Sequence, residues 1–106
     1  MTSNRVVMLQ VDAFKVHGST KAQSKKVLEE AAEVYNEAEM ARKHPDLDYN
    51  LVWLEDEVAD VITAAVNLVW LARRKEDGGF GIDDLEDTMA HAMERCRHRN
   101  EAKCRL

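Results

Sequence analysis

Two pairs of acidic residues stand at a spacing that would suit a metal ion. Glu30 and Glu33 are three residues apart, as are Glu57 and Asp60, and each pair lies in a stretch with helical periodicity. Residues at i and i+3 share one face of a helix, with Cβ atoms about 5 to 6 Å apart. Like charges at that distance destabilise a helix. Something should therefore offset the repulsion within each pair.

Antiparallel packing of the two helices would bring the four carboxylates together at the edge of a core. Carboxylate oxygens are hard ligands that suit Mg²⁺, with Mn²⁺ as the alternative. Either pair alone would more often be a solvated pair on an exposed helix face. Two pairs on consecutive helices, each beside an apolar face, favour a metal site instead. The predicted metal ligands are Glu30, Glu33, Glu57 and Asp60.

Other residues on the same helical faces are candidates for binding a substrate. Lys26 lies one turn before Glu30, where its charge would meet a phosphate. Trp53 lies one turn before Glu57 and would either stack on a ring of the substrate or pack in a core or subunit interface. Asn67 would either bond a ligand or join a water network. All three are predicted to be substrate-binding residues, with the second role of Trp53 and Asn67 left open.

The breakers in the sequence divide it into four helical segments. We predict helices over residues 4–16, 20–43 and 83–102, the second opening with a Thr20-to-Gln23 capping box. Another helix, capped by either Asp48 or Asn50, is predicted to extend to residue 75. With one proline and four glycines in 106 residues, these segments predict one all-α domain over residues 1–106, an antiparallel bundle of about four helices. Such a thin bundle leaves apolar faces uncovered, so an oligomer is expected.

Composition excludes several classes of function. The chain has 20 acidic and 15 basic residues and a net charge of −5, which argues against nucleic acid as a partner. No apolar run is long enough to span a membrane, and no signal peptide is recognisable. Cys96 and Cys104 lack the spacing of a zinc pair or a disulfide framework, and we expect reduced thiols in a cytoplasmic protein. There is no Gly-rich phosphate loop, and no Glu-x-x-His pair for a di-iron site.

The acidic pairs and their surroundings resemble the MazG-like all-α NTP pyrophosphohydrolase superfamily. That family carries E-x-x-E on one helix and E-x-x-D on the next. Here the words are VLEEAAEV at residues 27–34 and EDEVADVI at residues 55–62. The likeness extends over residues 5–102, although only these two motifs are specific to the family.

The resemblance implies a function, a cofactor and an assembly. It implies hydrolysis of (deoxy)nucleoside triphosphates between the α- and β-phosphates with Mg²⁺, by a homodimer or homotetramer. Glu29 or Glu30 is the predicted catalytic base, taking a proton from the attacking water. Asn100 resembles the asparagine that contacts phosphate or sugar in the family's last helix, although Cys96 stands where the family has a lysine.

Two alternative functions remain open. One is a non-catalytic interaction module that dimerises through Trp70 and Leu71 and leaves the acids solvated. The other is phosphoribosyl-ATP pyrophosphohydrolase, which shares the superfamily's acids.

Overall fold

The chain forms three helices. A computed structural model describes residues 10–14 and 16–103, with α1 at Thr20–Lys43, α2 at Asp48–Glu76 and α3 at Ile82–Ala102. None of these residues is in a strand, which confirms the predicted all-α class. The predicted helices over residues 20–43 and 83–102 agree with α1 and α3 to within one residue at each end. Helix α2 ends one residue after its predicted end, but its N-cap residue is Leu47 rather than Asp48 or Asn50. The single proline and the glycines around residue 79 do fall between helices.

The predicted helix over residues 4–16 is wrong for the residues of this range that the structure describes. Residues 10–14 and 16 are irregular, and residues 4–9 and Lys15 lie outside the described part of the chain. The physical reason is that side chains of α2 satisfy the backbone of this segment. Asn67 accepts a hydrogen bond from the Phe14 amide and donates one to the Asp12 carbonyl, and Arg74 donates to the Val16 carbonyl.

The start of α1 also differs from the prediction. Ser19 is the N-cap residue, and its hydroxyl accepts a hydrogen bond of 3.0 Å from the Ala22 amide. Gln23 does not complete a capping box. It is buried, and its Nε2 donates to the Ala64 carbonyl at 3.1 Å, so this side chain ties α1 to α2.

Helices α1 and α2 pack as an antiparallel hairpin. Near the start of α1, Gln23 contacts Ala64 of α2, whereas further along α1, Glu33 lies beside Glu57. Buried and half-buried side chains recur along both helices at alternating spacings of three and four, which is the spacing of a coiled-coil seam. The residues of this α1–α2 seam are Gln23, Val27, Glu30, Val34, Glu37 and Ala41 from α1, and Asn50, Leu54, Glu57, Val61, Ala64, Leu68 and Leu71 from α2.

Three seam positions are glutamates. Glu30, Glu37 and Glu57 stand where a coiled coil would carry aliphatic residues. The C-terminal half of α2 is apolar and buried instead. Its residues 61–72 are all at least half-buried, so the apolar core is concentrated at one end of the hairpin and the acids lie towards its middle.

Helix α3 joins the hairpin at that apolar end. The Phe80 ring lies 6.0 Å from the Trp70 ring, and Leu85 in the second turn of α3 is buried. Among the described residues, no Cα atom of α3 comes within 8 Å of one in α1. The predicted four-helix bundle is therefore not confirmed. Trp70 and Leu71 are buried inside the chain, so they do not form the exposed surface that a dimer made through them would need.

Several exposed apolar residues lie on one side of the hairpin. In an antiparallel pair, the residues that directly follow seam positions on both helices point to the same side. On this side lie four exposed apolar residues, here called the back face: Leu28, Tyr35, Leu51 and Val58. Across the described ranges, no helix has an apolar stretch long enough to cross a bilayer.

Candidate metal centre and adjoining cleft

Three of the predicted ligands come together in the seam. One carboxylate oxygen from each of Glu30, Glu33 and Glu57 lies within 4.8 Å of the other two. Glu30 and Glu57 are seam residues that face each other across the hairpin, and Glu33 lies one turn after Glu30. This grouping requires both helices, because neither motif alone supplies three carboxylates at this distance.

Crowding of these acids raises two pKa values. The pKa of Glu57 rises from its ordinary value of 4.5 to about 7, first because it shares a side-chain hydrogen bond with Glu33, and then through burial and the charges of Glu33, Asp60 and Glu30. The pKa of Glu30 is also raised, first by burial and then by Glu33 and Asp60, against the opposing charge of Lys26. In the folded chain, both pKa shifts favour the protonated form of the carboxyl group.

The donor set fits a hard divalent cation. Oε2 of Glu30 and Oε2 of Glu57 are buried and accept no hydrogen bond, and Oε2 of Glu37 on the same seam is in the same state. A buried carboxylate oxygen without a donor carries a desolvation cost. Coordination by Mg²⁺ or Mn²⁺ would remove that cost and neutralise the repulsion between the acids.

Asp60 lies at the edge of this group. It is outside the three-carboxylate cluster, but its charge raises the pKa values of both Glu30 and Glu57, and it lines the adjoining cleft. Glu29 is exposed and belongs to neither the cluster nor the cleft wall. Of the two residues predicted as the catalytic base, only Glu30 lies where a substrate would bind.

A half-open cleft adjoins the carboxylates. Its volume is about 410 Å³, within the range typical of sites for small molecules. Glu30 belongs to both the cluster and the cleft, so a ligand in the cleft would contact the metal site directly. The lining residues are Phe14, Val16, Gln23, Lys26, Glu30, Asp60, Thr63, Ala64 and Asn67.

The wall of the cleft away from the acids is built by the irregular segment before α1. Asn67 is 2% exposed, and its Nδ2 donates to the Asp12 carbonyl at 3.0 Å and to the Thr63 carbonyl at 2.8 Å, while its Oδ1 accepts from the Phe14 amide. Its amide is thus fully engaged with protein atoms. Arg74 donates to the Val16 carbonyl at 3.1 Å and stacks over the Trp70 ring at 5.1 Å. These contacts fix the segment against α2.

Sequence reasoning missed this wall. The signal for it in the sequence is Asn67, a polar residue inside the most apolar helix. Its partners Asp12 and Phe14 lie more than 50 residues away in the chain, so the sequence does not identify them. Phe14 and Val16 lie in the predicted helix over residues 4–16, and neither is among the predicted site residues.

The other predicted substrate-binding residues are placed as follows. Lys26 lines the cleft near Glu30. Trp53 is 50% exposed and packs edge-on against Tyr49 with ring centroids 4.8 Å apart, outside the cleft wall. Asn100 lies on α3, where its Nδ2 donates to the Cys96 sulfur at 3.6 Å, and it does not line the cleft. Substrate binding by Trp53, Asn67 and Asn100 stays a prediction.

Comparisons with protein-family models, with curated proteins and with solved structures found no match to this chain.

The raised pKa of Glu57 predicts how the metal-free protein responds to pH. The unfolded chain releases this proton near pH 4.5, whereas the folded chain keeps it up to about pH 7. Between these values the folded state binds more protons, so the free energy of unfolding should fall as pH rises. Urea denaturation with a chelator present would measure the slope. Glu57→Gln should flatten it and Glu39→Gln should not; equal slopes in all three proteins would contradict this account.

Metal binding should stabilise the fold by neutralising the same charges. Millimolar Mg²⁺ or Mn²⁺ should raise the melting temperature of the wild-type protein, since a ligand that binds only the folded state stabilises it by mass action. The rise should be lost in Glu57→Gln, which keeps the volume of the side chain but removes its charge. A melting temperature that neither ion changes would count against a carboxylate metal site.

Proposed function

We propose that this protein is a Mg²⁺-dependent nucleoside triphosphate pyrophosphohydrolase, with Mn²⁺ as an alternative ion. The observation that carries the proposal is the group of three carboxylates, two of which have a buried oxygen without a donor, beside a cleft of about 410 Å³ that Glu30 also lines. The E-x-x-E and E-x-x-D motifs supply these same residues. This links the geometry to the reaction that the family resemblance implies.

Charge explains why such a substrate would need the metal. Nucleoside triphosphates are polyanions, the chain has a net charge of −5, and Lys26 is the one basic residue among the described residues that line the cleft. One lysine cannot offset both the phosphates and the acids around them. A divalent cation held by Glu30, Glu33, Glu57 and Asp60 would neutralise phosphate charge and lower the pKa of a water molecule.

The proposed reaction consumes one water molecule. The anhydride bond between the α- and β-phosphates breaks, the oxygen of water is added to one of the two phosphorus atoms, and the products are the monophosphate and pyrophosphate. Glu30 is the proposed acceptor of the proton of this water, because it lines the cleft while Glu29 does not. Lys26, also at the wall, would orient a phosphate group by its charge.

The two alternatives make different use of the same surfaces. Phosphoribosyl-ATP is a nucleotide that the same acids would serve, and substrate assays separate it from a simple triphosphate. A non-catalytic interaction module would use the exposed back face and leave the carboxylates without a role. The buried, donor-free oxygens of Glu30 and Glu57 favour the enzyme. We also propose a cytoplasmic location, where nucleoside triphosphates are abundant.

Removing single charges from the site should abolish hydrolysis. Glu57→Gln and Asp60→Asn keep side-chain volume but remove the negative charge that a hard cation requires. Each should lower the rate of pyrophosphate release by at least about a hundredfold, the scale on which lost electrostatic stabilisation acts in catalysis, without loss of helical content by circular dichroism. Pyrophosphate would be measured with a panel of nucleoside triphosphates and Mg²⁺.

Glu39→Gln is the matched control. Glu39 is an acid on α1 outside the cluster, paired with Arg42 at 2.8 Å on the surface, and an exposed pair of this kind contributes little to stability. Its variant should keep wild-type activity. Equal activity in Glu39→Gln and Glu57→Gln, or release of free phosphate and a nucleoside diphosphate, would show that the proposed reaction is wrong.

We further propose a homodimer or homotetramer assembled through the back face. Leu28 is 71% exposed and Tyr35 is 67% exposed, one helical repeat of seven residues apart on α1, and a second hairpin packed there would complete a four-helix arrangement. Sedimentation should therefore show at least a dimer at micromolar concentration. Leu28→Asp should shift the association equilibrium towards the monomer. A monomeric wild-type protein would contradict the proposal.

A further inference from the structure

The cleft has two chemically different ends. Glu30, Asp60 and Lys26 form the charged end, beside the proposed metal site. The aromatic and aliphatic lining residues are Phe14, Val16 and Ala64. They lie towards the opposite end, because Gln23 near the start of α1 bonds Ala64, and Asn67, seven residues after Asp60, bonds the Phe14 amide. A ligand that fills this cleft must therefore be charged at one end and flat or apolar at the other.

The separation of the two ends matches a nucleotide. Asp60 and Asn67 line the same side of α2 and are seven residues apart, which is about 10 Å along the helix axis. That length is comparable with the distance from the phosphate to the far edge of the base in a nucleoside monophosphate. Inorganic polyphosphate would occupy only the charged end.

Phe14 presents an aromatic ring to the cleft from a fixed backbone. Its side chain is 56% exposed although it lines the cleft, so a planar ligand beside it would remove apolar surface from water. Its backbone amide is held by the buried Asn67, and the neighbouring Val16 carbonyl is held by Arg74. The backbone that carries the ring is thereby held before a ligand binds, which lowers the entropy cost of binding.

We infer that Phe14 forms the nucleobase subsite of this cleft. Its ring stacks on the base, while the phosphates bind the metal ion that the carboxylates hold. The inference rests on the proposed function, and it selects substrates with an aromatic base over polyphosphates and sugar phosphates. Asn67 is then a positioning residue, since its amide holds the segment that carries Phe14. The Trp53–Tyr49 pair is the rival platform, but neither ring lines the cleft.

Calorimetric titration of product-like ligands tests the inference. With millimolar Mg²⁺, the wild-type protein would be titrated with AMP, GMP, CMP, UMP and ribose 5-phosphate, which lacks a base. At least one monophosphate should bind more tightly than ribose 5-phosphate. Phe14→Ala should lower the affinity for that monophosphate by about fivefold or more, as expected for loss of a base–aromatic stack. The affinity for ribose 5-phosphate should not change. Phe14→Trp should restore the affinity, and Phe14→Leu, which keeps an apolar side chain without the ring, should restore it only in part.

The possible failures are distinguishable. The base subsite is wrong if ribose 5-phosphate binds as tightly as every monophosphate, if Phe14→Ala weakens all ligands equally, or if Trp53→Ala causes the larger base-specific loss. In those cases the metal-dependent rise in melting temperature and the release of pyrophosphate would persist, and the proposed function would stand. If no ligand binds with Mg²⁺ and no pyrophosphate is released from any triphosphate, both proposals are overturned.

Discussion

Placing glutamates in the seam of a helical hairpin is the constraint on which the site depends. A coiled-coil seam gains stability from aliphatic side chains that exclude water, and Glu30, Glu37 and Glu57 interrupt that packing with buried oxygens that accept no hydrogen bond. The chain tolerates this because the apolar C-terminal half of α2 concentrates its packing elsewhere, around Trp70 and Leu71. One end of the hairpin stabilises the fold, and the middle holds the charges close together.

The same arrangement gives the carboxylates an ordered backbone. Each acid is carried on a helix of more than 20 residues, and Gln23 joins the two helices with a hydrogen bond beside the cleft. A metal site built on such helices would need little backbone ordering when an ion binds, which would lower the reorganisation cost of binding. Because Glu30 belongs to both the cluster and the cleft wall, a phosphate in the cleft would lie near a cation held by the cluster.

The features that the sequence predicted are those that local signals determine. Helix ends near Pro45 and near Gly79 were predictable because proline and clustered glycines both destabilise the interior of a helix, and the i, i+3 spacing placed Glu30 with Glu33 and Glu57 with Asp60. The segment around Phe14 was not predictable in this way. Its apolar residues have helical spacing, but its backbone is bonded by Asn67 and Arg74, and such long-range partners override local propensity. Periodicity also gave no sign that α3 joins only one end of the hairpin, because an amphipathic pattern does not name the surface that a helix packs against.

The bonds from α2 to the segment before α1 have a further consequence for how the molecule assembles. The hairpin forms from neighbouring helices joined by a short turn, whereas the bonds to Asp12, Phe14 and Val16 span 53 to 58 residues of sequence. Contacts of large sequence separation carry the greater loop-closure entropy. The carboxylate cluster needs only α1 and α2. Its assembly therefore costs less loop-closure entropy than closing the far wall of the cleft, whose contacts must bring the segment before α1 back to the C-terminal half of α2.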